Sequence, residues 1–260
     1  MYKVDGTVTR ATSKGVLSKA WYLGVVPGRR VLVKGCSEGH YEPYSEVVAS
    51  AIALAMGIPH IEYWLAPSDL FPQIGCKLPH VSVCLESKPF GGYRRISAWN
   101  LYRLLYHKDI ADWWNDYTKL PITLTRTCDM LLFDAVIGNT DRHFNNWDFY
   151  FKPENGKPVV KYAEVFDNGA GLLSQVPDHV LQVVKTEYDF AKPFCDKHKE
   201  QLQFIKRVYP QYRTQLNPDI VWTNIQRIAF PHIDKMPVDR QALVKQYVHD
   251  RLFYYVNMMK

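Results

Sequence analysis

The chain of 260 residues lacks an apolar run that approaches the roughly 20 residues a membrane-spanning helix needs. Its first residues, Met1 to Gly6, also lack the apolar core of a secretory signal. These two absences predict a cytoplasmic protein without a membrane span. Export by a route that needs no cleaved signal remains open.

Cysteine pairs with metal-binding spacing are absent as well. The five cysteines are scattered, and no Cys-x-x-Cys pair occurs. Because zinc sites and disulfide frameworks depend on such pairs, both are disfavoured, and buried or half-buried free thiols are expected. His198, His232 and His249 share no ligand spacing either.

A dense basic run is missing too, although the net charge is +6. The basic residues recur in small groups along the chain, and no zinc-finger spacing or RNA-binding signature accompanies them. Direct binding of nucleic acid is therefore not expected. The excess of positive charge favours an anionic ligand such as a nucleotide, or an acidic partner surface.

The first third of the chain has the pattern of strands around one helix. The predicted strands are 19–25, 30–34, 61–65 and 80–85. The predicted helix begins at Pro43, is almost wholly apolar over 47–56 and stops at Gly57. Since nearly every face of this helix is apolar, we expect other elements to cover it on several sides.

A Gly/Pro-rich segment, Lys88 to Tyr93, is the best candidate for a boundary between two lobes. Residues 1–87 form the strand-rich amino-terminal lobe in this interpretation, and residues 88–260 form a helical carboxyl-terminal lobe. The predicted helices of the second lobe are 99–106, 124–137, 197–209, 218–230 and 239–258. A predicted hairpin, with strands 147–151 and 159–166, turns at Asn155-Gly156. The fold class is α+β.

Three polar residues around this hairpin point to phosphoryl transfer. Asp141 and Asn146 lie in the loop before the first strand, and Asp167 follows the returning strand, so the hairpin should bring Asp167 back beside the loop. Such a set can orient an attacking hydroxyl through Asp141 and bind Mg²⁺ through Asn146 and Asp167, with ATP as the phosphate donor. The alternative is a simple turn, because Asp and Asn are common in loops.

A lysine that neutralises phosphate is expected from the other lobe. Lys34 ends an apolar strand, as in the Val-Ala-Ile-Lys pattern of kinases. Glu46, early in the following helix, is predicted to form an ion pair with Lys34 and to hold it toward the α and β phosphates. Glu42 precedes Pro43 and is predicted to lie outside the helix. A solvated lysine at a strand end is the alternative.

The nucleotide phosphates would be covered by the segment before the first strand. This segment contains Gly15, and its candidate contacts are backbone N–H groups, the hydroxyls of Ser13 and Ser18, and the side chain of Lys14 or Lys19. No Gly-x-Gly-x-x-Gly is present, and a flexible basic loop is equally compatible. Glu86 and His143 complete the predicted nucleotide-binding set. Arg142 is expected to contact phosphate or to pair with an acidic residue.

The chain resembles the HipA-like serine/threonine kinases of bacteria, including the small cell-translocating kinases. The resemblance spans most of residues 10–195. It depends on the segments 13–21, 31–35, 41–50, 137–146 and 165–169, of which the Asn-Thr-Asp loop and the Asp-Asn-Gly element are the most specific. It implies a two-lobed protein-kinase-like fold, Lys34 on nucleotide phosphates with Glu46 as its partner, Asp141 as catalytic base, and Asn146 with Asp167 on Mg²⁺.

The resemblance also implies a protein substrate and autophosphorylation, with Ser13, Ser18, Ser174 and Thr186 as candidate acceptors. Because the chain starts near the phosphate loop, we expect no amino-terminal region of the kind found in full HipA toxins. A separately encoded antitoxin or regulatory partner stays open. The Asp-Arg-His-x-x-Asn core is similar to that of phosphoinositide kinases, so a lipid or small-molecule acceptor is the second hypothesis. A pseudokinase that acts as a binding module is the third.

Overall fold

The structure is a computed structural model that describes Val4 and residues 18–106, 121–155, 157–181 and 189–260. Three residues of the predicted phosphate loop, Ser13, Lys14 and Gly15, lie outside this part of the chain. The candidate acceptor Thr186 lies outside it as well. Within it, no helix combines the length and the apolar character needed to cross a bilayer.

An antiparallel sheet forms the amino-terminal part. Its strands are β1 (Lys19–Val26), β2 (Arg29–Lys34), β3 (Tyr63–Pro67) and β4 (His80–Leu85), in the order β1-β2-β4-β3. Because β2 lies between β1 and β4, Lys34 is at the end of an inner strand, with Ser82 of β4 opposite it. The apolar residues of this sheet pack with Phe71 and Ile74 from the two short 3₁₀ turns between β3 and β4.

The carboxyl-terminal part contains a three-stranded sheet and most of the helices. The sheet has the order β5-β6-β7, with β5 (Arg94–Ser97), β6 (Asp148–Glu154) and β7 (Lys157–Tyr162). The helices are α2 (Ala98–Tyr106), α3 (Pro121–Ile137), α4 (His198–Val208), α5 (Pro218–Ile228), α6 (Phe230–Ile233) and α7 (Val238–Met259) in the described residues. Helix α3 lies at the centre of this part of the structure, where it contacts β7, α4 and α7.

The remaining helix, α1 (Glu42–Ala55), connects the two parts. All of its residues except Leu54 are buried. It contacts β3 and β4 on one side and α5 and α6 on the other. The expectation that an almost wholly apolar helix must be covered on several sides is thus confirmed, and α1 belongs to the same hydrophobic core as α3.

Three local predictions were wrong. Glu42 is the first residue of α1 rather than a residue outside it. Proline is tolerated next to a helix start because the first N–H groups have no partner within the helix, so Pro43 does not exclude Glu42. The strand Arg94–Ser97 was not predicted. The returning strand ends at Tyr162, before the predicted residue 166.

The early end of β7 has a clear cause. After Tyr162 the chain leaves the hairpin and runs beside the segment before β3. The amide of Val165 donates to the carbonyl of Pro59, and the amide of Ile61 donates to the carbonyl of Val165. Asp167 is therefore positioned by contacts with the amino-terminal part and not by the hairpin alone.

Gly138, which follows α3, should tolerate no side chain. It has a φ of +63°, and a Cβ atom there would lie 1.9 Å from the hydroxyl oxygen of Tyr247. We expect Gly138→Ala to lower the free energy of unfolding by about 2–5 kcal/mol, because the left-handed backbone and the clash both add cost. Unfolding in urea measures this.

Gly28→Ala is the matched control. Gly28 has a φ of +67° but no atom within 4 Å of a Cβ built there. It should lose only the backbone contribution, about 1–2 kcal/mol. Equal losses for the two variants would show that the approach of Tyr247 does not require glycine at position 138.

Candidate active site

One buried ammonium group brings together three segments that are distant in sequence. The Nζ atom of Lys34 contacts Oε1 of Glu46 and lies 2.5 Å from Oδ1 of Asp167. Lys34 and Glu46 are almost completely buried, whereas the side chain of Asp167 is 23% exposed. The predicted ion pair of Lys34 with Glu46 is present, and Asp167 is added to it.

Burial and neighbouring charges together determine the protonation of Lys34, Glu46 and Asp167. Burial alone would lower the pKa of Lys34, but the carboxylates of Asp167 and Glu46 outweigh burial and raise it. Burial would likewise raise the pKa of Asp167, but Lys34 outweighs it and the value falls to about 2. For Glu46, burial and the charge of Asp167 raise the pKa. Lys34 and Asp167 are therefore charged at neutral pH, and one cation contacts two acidic side chains.

Helix α1 is joined to the Asp-Asn-Gly element by hydrogen bonds. The hydroxyl of Ser45 donates to the carbonyls of Asn168 and Gly171, and Oε2 of Glu46 accepts from the amide of Asn168 at 2.8 Å. A Cβ atom at Gly169 would lie 3.2 Å from Cβ of Glu42. The absence of a side chain at Gly169 thus allows α1 to contact this element directly.

A second buried ion pair connects the two halves of the site. Nε and Nη2 of Arg142 donate to the two carboxylate oxygens of Asp134 at 2.9 and 2.8 Å, and both side chains are fully buried. Nη1 of Arg142 donates to the carbonyls of Asn146 and Phe166 at 2.7 and 2.6 Å. One nitrogen thus holds the loop of Asp141 beside the residue that precedes Asp167. Of the two predicted partners for Arg142, the acidic residue is the one observed.

The loop around Asp141 is ordered by short polar contacts. The amide of Asp141 donates to Oδ1 of Asn139, and Nδ2 of Asn146 donates to the carbonyl of Asp141 at 3.2 Å. Lys192 comes from another segment, and its Nζ atom lies 2.7 Å from Oδ1 of Asp141. Nε2 of His143 lies 3.8 Å from the other carboxylate oxygen.

The remaining described residues of the predicted nucleotide-binding set do not take part in the contacts of Lys34 with Glu46 and Asp167. Glu86 forms an ion pair of 3.1 Å with Nη1 of Arg30, beyond the end of β4. Ser18 is exposed, and its carbonyl accepts from the amide of Gly35. No measurement on the structure tests a nucleotide contact of Glu86, Ser18 or His143, and their roles stay predictions.

The chemistry of the donor set fits Mg²⁺. Asp167 is charged and partly accessible, and Asn146 uses its amide nitrogen in the loop, which leaves an oxygen suited to the ion. Mg²⁺ commonly takes one or two protein ligands and completes its shell with water and substrate phosphates. In the described residues, no group of three His, Cys, Asp or Glu side chains could hold a metal ion.

Sequence reasoning missed four residues that shape the site. Asp134, Ser45 and Asn168 act through buried hydrogen bonds, and only the polar character of Asp134 in an apolar helix could have drawn attention to it. Lys192 carries no signal in the sequence, because it follows Asp141 by 51 residues and lies in no recognisable motif.

The fold is a protein-kinase-like α+β fold. It consists of an antiparallel sheet that carries Lys34, a buried helix that pairs with this lysine, and a helical part that carries the Asp141 loop and the Asp-Asn-Gly element. Over the whole chain it matches the crystal structure of the Helicobacter pylori proinflammatory kinase CtkA with a TM-score of 0.67 and 17% identity, covering 96% of that chain. The predicted fold class is confirmed.

The sequence comparison finds the same relative. The serine/threonine-protein kinase CtkA of Helicobacter pylori is 39% identical over 61 residues, which are 24% of this chain and 18% of that protein. The resemblance drawn from the motifs is therefore confirmed, although this match spans less than a fifth of CtkA. No family model matches the chain.

A HipA chain is also found. HipA of Shewanella oneidensis, solved with HipB and operator DNA, matches with a TM-score of 0.37 and 13% identity over 93% of this chain and 63% of that one. A similarity of that size carries no argument about function.

Asp134→Asn tests the importance of the buried ion pair. The substitution leaves the Arg142 guanidinium in the interior without its counter-charge, so we expect a loss of about 3–5 kcal/mol in the free energy of unfolding. Unfolding in urea measures the loss. Glu38→Gln is the control, because Glu38 pairs with Lys77 on the surface, where ion pairs contribute little. A small effect of Asp134→Asn would contradict the role given to Arg142.

Proposed function

We propose that the chain is an ATP- and Mg²⁺-dependent serine/threonine protein kinase that transfers the γ-phosphoryl group to a protein hydroxyl. The observation that supports this most strongly is the contact of Lys34 with both Glu46 and Asp167. In kinases a lysine–glutamate pair between strand and helix and an aspartate for Mg²⁺ must both be in place. The similarity to CtkA in sequence and fold supports the same assignment.

Four residues of the site have a proposed role in the reaction. Lys34 would bind the nucleotide phosphates, Asn146 and Asp167 would hold Mg²⁺, and Asp141 would accept the proton of the attacking hydroxyl. The metal ion supplies neutralisation of phosphate charge when it is bound. A metal at Asp167 would also relieve Lys34 of one of its two carboxylates, so that Lys34 could stay paired with Glu46 and still contact phosphate.

Among the candidate acceptors, accessibility favours Ser18 over Ser174. Ser18 is exposed and directly precedes β1. Ser174 is fully buried, and its hydroxyl donates to the carbonyl of Gly169, so it cannot reach an active site without local unfolding. A protein substrate, a separate regulatory partner and the cytoplasmic location stay predictions from the sequence.

Asp141→Asn and Asp167→Asn test the proposed chemistry. Removing a general base lowers turnover by about 10²–10⁴-fold, and removing a metal ligand should cost at least as much. Transfer of label from γ-labelled ATP, with Mg²⁺ present, measures turnover. Thermal unfolding confirms that each variant is folded. Label in a lipid or small-molecule fraction instead of protein would favour the second hypothesis on the acceptor.

The matched control is Asp196→Asn, an exposed carboxylate with no proposed role, which should retain full activity. Undiminished labelling by Asp141→Asn would refute the assignment of the base. If the wild-type chain labels no acceptor at all yet binds Mg²⁺·ATP, the pseudokinase hypothesis replaces the enzyme.

Lys192→Met tests the residue that sequence reasoning missed. The ammonium of Lys192 next to Asp141 would lie where negative charge develops on the transferring group, so we expect kcat to fall about 10-fold or more. The side chain is half exposed, so the stability should change little. Lys235→Met, on an exposed lysine, is the control. Equal kcat in the two variants would show that the contact of Lys192 with Asp141 does not contribute.

A further inference from the structure

Two of the cysteines lie against each other just beyond the end of β2, the strand that carries Lys34. The Sγ atoms of Cys36 and Cys76 are 3.1 Å apart, although the residues are separated by 40 positions. Cys36 follows Lys34 by two residues, and Cys76 lies in the connection between β3 and β4. Both are half-buried free thiols. The sequence prediction of free thiols did not include this pairing.

The backbone next to Cys36 also lies close to Cys76. Gly35 lies between Lys34 and Cys36, and a Cβ atom there would be 3.3 Å from Cβ of Cys76. A disulfide requires a sulfur–sulfur distance of about 2.05 Å. The two sulfur atoms, now 3.1 Å apart, thus need to approach by about 1 Å to form the bond.

We propose that Cys36 and Cys76 form a reversible intramolecular disulfide, which makes this end of the amino-terminal sheet a redox-modification site. The oxidant is a small-molecule disulfide such as oxidised glutathione. This inference concerns thiol chemistry and does not depend on the proposed kinase activity.

The electrostatics of the pair favour one thiol as the nucleophile. The hydrogen bond with Cys36 lowers the pKa of Cys76 to about 6 and raises that of Cys36. Because the thiolate is the reactive form, the lowered pKa favours Cys76 as the attacking residue. Burial raises the pKa of Cys84 to about 12, and Cys128 is fully buried, so neither competes.

The exchange balances in two steps. The thiolate of Cys76 attacks one sulfur of oxidised glutathione, forming a mixed disulfide and expelling one glutathione thiolate. Cys36 then gives its proton to a glutathione thiolate and attacks Sγ of Cys76, which expels the second glutathione. Two protein thiols are oxidised, one glutathione disulfide is reduced to two thiols, and a reducing dithiol reverses both steps.

The bond would fix the end of β2 to the connection between β3 and β4. It closes a loop between residues 40 positions apart, and a loop of that length restricts the unfolded chain substantially. The oxidised protein is therefore expected to unfold at a higher temperature than the reduced protein, by about 5 °C or more.

Mass spectrometry of the full chain tests the proposal. The protein is incubated with excess oxidised glutathione, its free thiols are alkylated, and it is digested with trypsin. Cleavage after Lys34 and Lys77 leaves both cysteines, and no other, in the peptide 35–77. We expect this peptide to lose two hydrogen atoms and to escape alkylation, whereas the peptides with Cys84, Cys128 and Cys195 remain alkylated. Further cleavage after the glutamates at 38–62 should leave two fragments joined by the disulfide.

Two variants separate the pair from general thiol oxidation. Cys36→Ser should stop at the mixed disulfide of Cys76 with glutathione, and it should lose the rise in unfolding temperature. Cys195→Ser, which removes another half-buried thiol, should behave as the wild type does. Alkylation of both Cys36 and Cys76 after oxidation, or a disulfide of either one with a different cysteine, would overturn the proposal.

Discussion

The site depends on a buried ammonium group that has two carboxylates as its partners. A charged lysine is very costly in a protein interior unless opposite charges accompany it. Since Lys34 ends an inner strand and its side chain is buried, Glu46 of α1 and Asp167 of the Asp-Asn-Gly element must come to it. The sheet, helix α1 and the carboxyl-terminal part of the chain therefore meet at one point, because each contributes one member of the cluster.

The buried Arg142–Asp134 pair positions the loop of Asp141 and Asn146 from the side of the helices. Asp134 projects from α3 inside the core, and the guanidinium it binds reaches the carbonyls of Asn146 and Phe166. A flexible loop could not place Asp141 and Asn146 accurately by itself. A planar group with several fixed donors can, because each donor restrains a different part of the backbone. Lys34 therefore holds Asp167 from the sheet side and Arg142 holds the preceding residue from the helical side.

Much of this could be predicted from the sequence because it is local. The apolar alternation of β2, the apolar run of α1 and the stop at Gly57 identified these elements nearly at their observed bounds. The spacing of Asp141 and Asn146 and the following Asp167 identified the candidate chemistry. Strand β5 was missed, since Arg94–Ser97 has no apolar alternation and becomes a strand only by pairing with β6. The end of β7 was misplaced because Val165 finds partners in Pro59 and Ile61, about a hundred residues earlier.

The sequence by itself determined the type and order of the elements, the α+β class and the residue types available for phosphoryl transfer, because each of these follows from neighbours within a few turns or strands. Only the tertiary structure decided which groups meet. It placed Asp167 on Lys34, paired Arg142 with Asp134, brought Lys192 to Asp141 and set Cys36 against Cys76. The physical reason is that such contacts depend on the path of the backbone between distant segments. Because buried charges and polar groups must find partners, only a path that brings those partners together is stable.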